Sequence, residues 1–418
     1  MAAFLLVLTA RPVRADDGPT VELAPEPKKP LVSLGTGPAP PDAYLHGMTE
    51  QRFRNADLSS ASTALGGYGE AQLDGVATGA GPRAWTANLS RVILFVAHEF
   101  NDRFRFYAEI EFENARACAD CKGEASMEQA YLDAKIVDAL GLRAGAVIVP
   151  MGIVNQWHEP PVFHGVFRPE VETRIIPSTW HEIGAGAFGH AGPLRYEAYA
   201  LTSIDPMLIA SDGLAETPQE GSLARANSVA GVGRVEVEPL LGAIVGAAFY
   251  ATDAGGNAKV FDANENRAHP SFPIVGFEVD ARMRKAGLEA KALYTEFHFP
   301  NAAALDRGFD ENGAPLVPAG APVGTVMRGA YVELAYDVLH PLAVSHQLLP
   351  FARLERTDTQ AAVPKGFARD GRAADTQLVL GLTYRPMQQI VVKTDFELRK
   401  YAVGDDQTQI DFGFGFMY

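Results

Sequence analysis

From residue 64 to its end, the chain repeats short segments in which large apolar side chains alternate with polar or small ones. A period of two places successive side chains on opposite faces of a β-strand. In residues 103–113, Phe104 and Phe106 would share one face, with Arg105 and Glu109 on the other. The pattern predicts sixteen strands, at residues 64–74, 86–98, 103–113, 126–136, 141–149, 181–189, 194–203, 226–238, 240–251, 273–285, 287–299, 326–338, 346–357, 374–385, 389–401 and 407–418.

The connections between these segments alternate between short and long. A bilayer-spanning antiparallel barrel has short periplasmic turns and longer outer loops. Contact with lipid also explains why the side chains on one face of each strand are apolar. It requires a closed sheet, because no water is present to bond to unpaired backbone N–H and C=O groups. Sixteen strands leave an aqueous channel inside. We therefore predict an all-β fold, a transmembrane antiparallel β-barrel of about 16 strands at residues 64–418, in contact with the lipid of a Gram-negative outer membrane.

Charge and hydropathy exclude two other classes of protein. The longest nearly apolar run, residues 240–251, contains two glycines and is shorter than the roughly 20 residues of a spanning helix. The net charge is −15, from 36 Lys and Arg against 51 Asp and Glu, without basic clusters. Such a chain lacks the positive surface that binds a phosphate backbone, so we expect no nucleic-acid partner.

The N-terminus predicts export. Residues 1–15 contain an apolar run and end in Val13-Arg14-Ala15, with small residues where signal peptidase cleaves, although no Lys or Arg precedes the run. Residues 16–63 form a proline-rich periplasmic segment that buries too little apolar surface to fold alone.

The two cysteines, Cys118 and Cys121, form a Cys-x-x-Cys pair in the second outer loop. A redox pair and half of a zinc site are alternatives, but the chain has no second Cys-x-x-Cys and no His pair at zinc-finger spacing. We favour a small loop disulfide in an oxidising compartment.

The final segment places Phe412, Phe414, Phe416 and Tyr418 at alternate positions. It resembles the terminal strand of outer-membrane barrels, and this resemblance implies that the strand is recognised by the barrel insertion machinery.

Residues 66–70, 95–111, 128–133 and above all 150–186 together resemble porins of the phosphate-selective O and P type. The resemblance implies a sixteen-stranded diffusion channel, often a homotrimer, whose third loop folds into the lumen. It implies small hydrophilic solutes or ions as substrates, including anions such as phosphate.

The third long connection, residues 150–180, is the predicted pore constriction. Opposed charges across a narrow lumen select solutes by sign and size, although internal salt bridges that hold the loop are the alternative role. Four prolines favour an irregular loop. The candidate constriction residues are His158, Glu159, Arg168, Glu170, Glu172 and Arg174, and the candidate pore wall is Arg91, Arg103, Arg105, Arg143 and Lys393.

The sequence gives no support to catalysis. It has no G-x-S-x-G, and His158-Glu159 lacks the second His of H-E-x-x-H. We therefore predict no enzyme activity, no cofactor and no metal site. A non-conducting structural or adhesin-type barrel remains the alternative function.

Overall fold

A computed structural model describes residues 33–34, 62–116, 122–262, 264, 267–268, 271–318 and 320–418. The predicted signal peptide, nearly all of the proline-rich segment and both cysteines lie outside these residues. Within the described part, no helix is both long and apolar enough to cross a bilayer.

Sixteen strands of the described chain form one antiparallel sheet in which every strand pairs with its neighbours in the sequence. They are β1 Thr63–Thr78, β2 Ala84–Glu99, β3 Phe104–Glu113, β4 Ala125–Val137, β5 Leu140–Ile148, β6 His181–Ala191, β7 Leu194–Thr202, β8 Val229–Leu240, β9 Ala243–Asp253, β10 Pro273–Lys285, β11 Leu288–His298, β12 Val326–Tyr336, β13 Gln347–Ala362, β14 Ala374–Met387, β15 Ile390–Tyr401 and β16 Gln407–Met417.

The sheet closes because β16 pairs with β1 along its whole length. At the seam, the Tyr418 amide donates to the Gly67 carbonyl at 2.9 Å, and the Gly67 amide donates to the Tyr418 carbonyl at 3.1 Å. The two-residue segment Ser33–Leu34 also pairs, in parallel, with Ala64 and Leu65 of β1. The predicted closed antiparallel barrel is therefore confirmed.

The two faces of each strand differ as the alternation predicts. In β15, Lys393 and Asp395 point inward and are each 4% exposed, whereas Val392 and Phe396 point outward and are 47% and 42% exposed. A soluble protein buries its apolar side chains, and here the charged row is the enclosed one. This inversion fits a wall that faces lipid outside and encloses a polar lumen.

Strand β8 continues past the predicted boundary at Pro239 and ends at Leu240, so the turn is formed by Leu241 and Gly242. Proline is tolerated inside the strand because the register with β9 shifts here, at a bulge that does not require its missing N–H. Gly242 has a φ of +84°, in the left-handed region that glycine adopts without a steric penalty. The sequence pattern placed the turn too early because proline usually ends a strand.

Candidate functional site

The connection between β5 and β6, residues 149–180 and hereafter the third loop, folds into the barrel, and most of its residues are buried. The Val149 amide donates to the Trp180 carbonyl at 2.8 Å and closes its base. The Asn155 side chain donates to the Val149 and Met151 carbonyls and accepts from the Trp180 amide. Apart from short helical turns at Pro160–Val162 and Val171–Ile175 the loop is irregular, as its prolines predict.

Strands β10–β15 hold the third loop against one side of the lumen. Lys291 donates to the Val162 carbonyl and Lys393 to the Gly165 carbonyl, each at 2.9 Å. Asp395 accepts from the Val166 amide at 2.7 Å. These charged groups bind loop backbone. Residues of β2–β4 line both of the cavities described below, so these strands form the open side of the lumen.

Glu172 fixes the shape of the third loop itself. It is fully buried, and its carboxylate accepts from the Val154 amide at 2.6 Å and from the Tyr331 hydroxyl at 2.6 Å. Burial raises the pKa of this carboxyl group. Glu172 lines none of the described cavities, so its place in the structure is that of an internal anchor.

The third loop lies between two cavities of the lumen and also bounds a smaller space, hereafter the constriction. The outer cavity, on the side of the long loops, has about 530 Å³ and is lined in part by Gln72, Ser90 and Gln409. The inner cavity, on the side of the short turns, has about 570 Å³. The constriction is a space of about 40 Å³ between residues 156–159 and strands β3–β5. Trp157 and Glu197 line both this space and the inner cavity.

Acidic and basic side chains are distributed unevenly between the cavities. Eight carboxylates and two arginines line the outer cavity, whereas six carboxylates and five Lys or Arg residues line the inner one. The outer cavity acids are Glu70, Glu111, Glu113, Glu124, Glu128, Glu170, Glu220 and Glu397. The outer cavity therefore carries the larger excess of acidic side chains.

The two candidate arginines of the third loop differ in their partners. Arg168 lines the outer cavity and donates to Ser178 Oγ at 2.5 Å and to Thr179 Oγ1 at 2.8 Å. Burial lowers the pKa of its guanidinium to about 10. Arg174 lies 2.8 Å from Asp375 Oδ2, outside the described cavity walls.

The acids of the third loop are not the partners of its arginines. Glu170 pairs with Arg399 of β15, and Glu159 lines the constriction with only 4% exposure. Among the described ion pairs, salt bridges join the loop to the barrel wall and none joins two of its own candidate residues.

Four of the five candidate wall residues lie on the open side of the lumen. Arg91 pairs with Glu70 at 2.7 Å in the outer cavity, and Arg143 pairs with Asp133 at 2.7 Å beside the constriction. Arg103, in the turn before β3, and Arg105, paired with Glu99 at 3.4 Å, line the inner cavity. Lys393 lies on the opposite side and anchors the loop.

At the constriction the structure brings together three side chains of which the sequence pattern singled out only His158. Glu109 of β3, Glu128 of β4 and His158 of the third loop place their ligand atoms within 4.8 Å of one another. Burial opposes a charge on His158, but the carboxylate of Glu128 raises the pKa of its imidazole overall.

A β-bulge explains why the alternating pattern does not predict that Glu128 points into the lumen. Strict alternation from Tyr131 turns Gln129 inward and Glu128 towards lipid. The register between β3 and β4 shifts at this point, so that Glu109 pairs with Gln129 and Ile110 with Met127. The extra residue, Glu128, is thereby turned into the lumen, where it is 1% exposed.

Comparison with known proteins places the fold among outer-membrane barrels. No model of a known protein family matches the chain. An uncharacterized protein of Aquifex aeolicus (strain VF5) is 28% identical over 389 residues, which cover 90% of this chain and 81% of that protein.

Three solved structures are similar in backbone. Pseudomonas putida OprB matches with a TM-score of 0.57 and 11% identity, over 89% of this chain and 98% of its own. The anion-selective porin from Comamonas acidovorans matches with a TM-score of 0.52 and 10% identity, over 85% and 99%. Salmonella typhi OmpF matches with a TM-score of 0.52 and 14% identity, over 85% and 97%. At such low identity these similarities establish a porin-like fold, and the phosphate-selective group is not confirmed.

Proposed function

We propose that the protein is an outer-membrane porin, a water-filled channel for the passive diffusion of small hydrophilic solutes and ions. The observation that carries this proposal is a closed barrel whose polar lumen holds two cavities of about 530 and 570 Å³, with a narrow space beside the third loop. An apolar outer face and a charged interior support placement in the outer membrane of a Gram-negative bacterium.

The lining of the constriction indicates the class of solute. Tyr107, Gln129, Arg143 and Glu159 present polar groups to it, and Trp157 separates it from the inner cavity. Such a lining suits small polar solutes and excludes large ones. The acid excess of the outer cavity favours cations, and its two arginines offer little support for selection of phosphate or other anions.

Single-channel recording in planar bilayers tests the proposal. Folded protein should give discrete conductance steps, and a salt gradient should give a reversal potential of the sign expected for preferred cation passage. Trp157→Ala should raise the conductance because it removes the largest side chain at the constriction. Val332→Ala, which changes an outward-facing residue, should leave the conductance unaltered.

The alternative, a non-conducting structural or adhesin-type barrel, predicts that correctly folded protein inserts without conducting. Folding is monitored separately, by circular dichroism and by the change in gel mobility on heating. Absence of steps from folded, inserted protein would therefore reject the porin.

We further propose assembly as a homotrimer and recognition of β16 by the barrel insertion machinery. The trimer rests on the family resemblance alone. For the second proposal, Phe414 and Tyr418 are exposed on the outer face and form a stacked row with Phe416. Light scattering of the detergent-solubilised protein tests the first, and deletion of Tyr418 followed by membrane fractionation tests the second.

A further inference from the structure

The cluster of Glu109, Glu128 and His158 at the constriction, hereafter the constriction cluster, has the composition of a metal site. Its three ligand atoms come from two neighbouring strands and from the loop that crosses in front of them. Two ligand atoms bound to one Zn²⁺ at about 2.0–2.2 Å lie roughly 3–4 Å apart. Small side-chain rotations would bring the present spacing of up to 4.8 Å to that value.

The imidazole of His158 is oriented as in a metal ligand. Its Nδ1 is 3.0 Å from the Asn155 carbonyl oxygen, which leaves Nε2 directed at the cluster. A metal-binding histidine usually donates its second ring nitrogen to a carbonyl or carboxylate, which fixes the tautomer and the ring plane. Arg91 adds a further restraint, because it donates to the His158 carbonyl at 2.8 Å.

Two of the three cluster residues, Glu128 and His158, have buried polar atoms without a hydrogen-bond partner. Within the described chain, neither carboxylate oxygen of Glu128 has a hydrogen bond of good geometry, and His158 Nε2 has none either. Glu111 and Arg91 are further ionisable groups close to the Glu128 carboxylate. Nε2 is 3.5 Å from Glu128 Oε2, too long for a good hydrogen bond. Glu128 is 1% and His158 3% exposed. Buried charged groups are normally paired, hydrogen-bonded or bound to a metal.

Glu109 is held by neighbours of its own. Its Oε2 atom accepts from the Gln129 side chain at 2.5 Å and from the Tyr107 hydroxyl at 3.2 Å. Supporting hydrogen bonds of this kind orient ligating carboxylates in metal sites.

We propose that Glu109, Glu128 and His158 bind one divalent transition-metal ion, of which Zn²⁺ is the representative, at the constriction of the lumen. One imidazole and two carboxylates suit this class of ion, whereas Ca²⁺ and Mg²⁺ prefer oxygen ligands alone. Three protein ligands leave a fourth position open to water or to a passing solute.

The ion has a second consequence, which rests on the proposed channel function. It would join β3 and β4 to residue 158 of the third loop and so close the space between the loop and the open side of the lumen. Bound Zn²⁺ is therefore expected to lower the conductance.

Zn²⁺ binding by the folded full chain tests the site directly. Protein treated with EDTA and dialysed at pH 7.5 is titrated with Zn²⁺ by calorimetry, and bound metal is counted by mass spectrometry. The expected result is one Zn²⁺ per chain, with at least tenfold weaker binding in Glu128→Gln and His158→Gln. Excess Mg²⁺ should not compete.

Glu113→Gln and His181→Gln are matched controls because both residues line the outer cavity outside the constriction cluster. Their Zn²⁺ affinity should equal that of the unmodified protein. The site would be overturned if the cluster variants bound Zn²⁺ as tightly as the unmodified protein. It would also be overturned if the controls lost as much affinity as the cluster variants, which would indicate diffuse attraction by acids. Absence of Zn²⁺ binding to the unmodified protein would overturn it as well and would indicate a plain His158–Glu128 ion pair.

X-ray absorption of Zn²⁺ on the unmodified protein decides the question where the variants do not fold. A zinc ion bound by one imidazole nitrogen and by oxygen ligands supports the cluster. Any sulfur ligand, or oxygen ligands without nitrogen, would overturn it. Conductance is measured separately. Zn²⁺ should block the unmodified channel at least tenfold more strongly than His158→Gln. If the protein binds Zn²⁺ but never conducts, the proposed channel function is rejected and the proposed metal site is retained.

Discussion

At the scale of single residues, the partners of a charge decide its effect more than its type does. Arg168 and Arg174 are only six positions apart, yet Arg168 contacts two hydroxyl groups in the outer cavity and Arg174 contacts the carboxylate of Asp375. A guanidinium that faces a water-filled space acts on passing ions, whereas one bound to a carboxylate is largely neutralised.

Arg168→Glu should therefore shift the reversal potential in a salt gradient towards cations, since it changes the charge of the cavity wall by two units. Conductance should change less than twofold. Arg174→Glu is the matched control and should weaken the attachment of the loop, because it places a carboxylate beside Asp375. Equal reversal potentials in the two variants would contradict the assignment of Arg168 to the pore.

His164 gives the third loop a dependence on pH. Its Nε2 is 3.0 Å from Glu289 Oε2, and its ring stacks on Phe351 at 5.6 Å between centroids. Burial lowers the pKa of the imidazole, and Arg385 acts in the same direction, whereas Glu289 and Glu333 oppose them. His164 therefore stays neutral in the folded state at pH values where the same side chain is already protonated in the unfolded chain.

A histidine whose pKa is depressed on folding stabilises the fold above its unfolded pKa of about 6.5, and this stability is lost as the pH falls through the folded pKa. His164→Gln should therefore reduce the loss of unfolding free energy between pH 7 and pH 5. Urea titrations at both pH values measure it, and an unchanged pH dependence would refute the role of His164.

At the scale of elements, alternation predicts the strands and misses most contacts of the third loop. Every predicted strand overlaps an observed one because a lipid-facing row and a lumen-facing row impose a period of two. Bulges interrupt that period without a local signal, so the inward turn of Glu128 was not foreseen.

The anchors of the third loop were equally invisible in the sequence. Lys291 and Lys393 bind loop carbonyls, and every residue supplies a carbonyl. Polar side chains were correctly expected inside the barrel, but only the folded path of residues 149–180 decides which of them bind loop backbone and which line the cavities. Glu172, predicted for the constriction because it lies in the third loop, accepts hydrogen bonds from Val154 and Tyr331.

Glu172→Gln should loosen the third loop, because an amide accepts fewer hydrogen bonds than the carboxylate that binds two backbone amides and a hydroxyl. Hydrogen bonds to charged groups contribute about 1.5–3 kcal/mol. The amides of Val154 and Asn155 should exchange with deuterium about 10–100-fold faster. Tyr331→Phe, which removes one of these bonds, should give a smaller increase, and slow exchange in both variants would contradict the anchor.

At the scale of the whole molecule, the exposed apolar rows require a membrane. Leu354 of β13 points outward and is 56% exposed, while its neighbours Arg353 and Glu355 lie inside the barrel at 1% exposure each. Apolar side chains repeat around the wall in this way, and such a surface would aggregate in water.

Leu354→Arg should destabilise the barrel in lipid vesicles by about 2–4 kcal/mol, the cost of a basic residue on the lipid face near the bilayer centre. Gln409→Arg is the control, since Gln409 lines the outer cavity and a charge is solvated there. Denaturant titration in vesicles compares the two variants. Equal stabilities would indicate that Leu354 does not face lipid.

The unequal charge of the two cavities gives the lumen an electrical polarity along its axis. The outer cavity is lined by eight acidic side chains and two arginines, whereas the inner cavity has nearly equal numbers of acidic and basic side chains. A voltage that drives cations in from the acidic end enriches them in the passage, and the reverse voltage depletes them. Currents at equal and opposite voltages should differ, so that the barrel acts as a weak diode in dilute salt. The asymmetry should fade in 1 M salt, where the Debye length is about 3 Å, and in Glu113→Gln/Glu124→Gln.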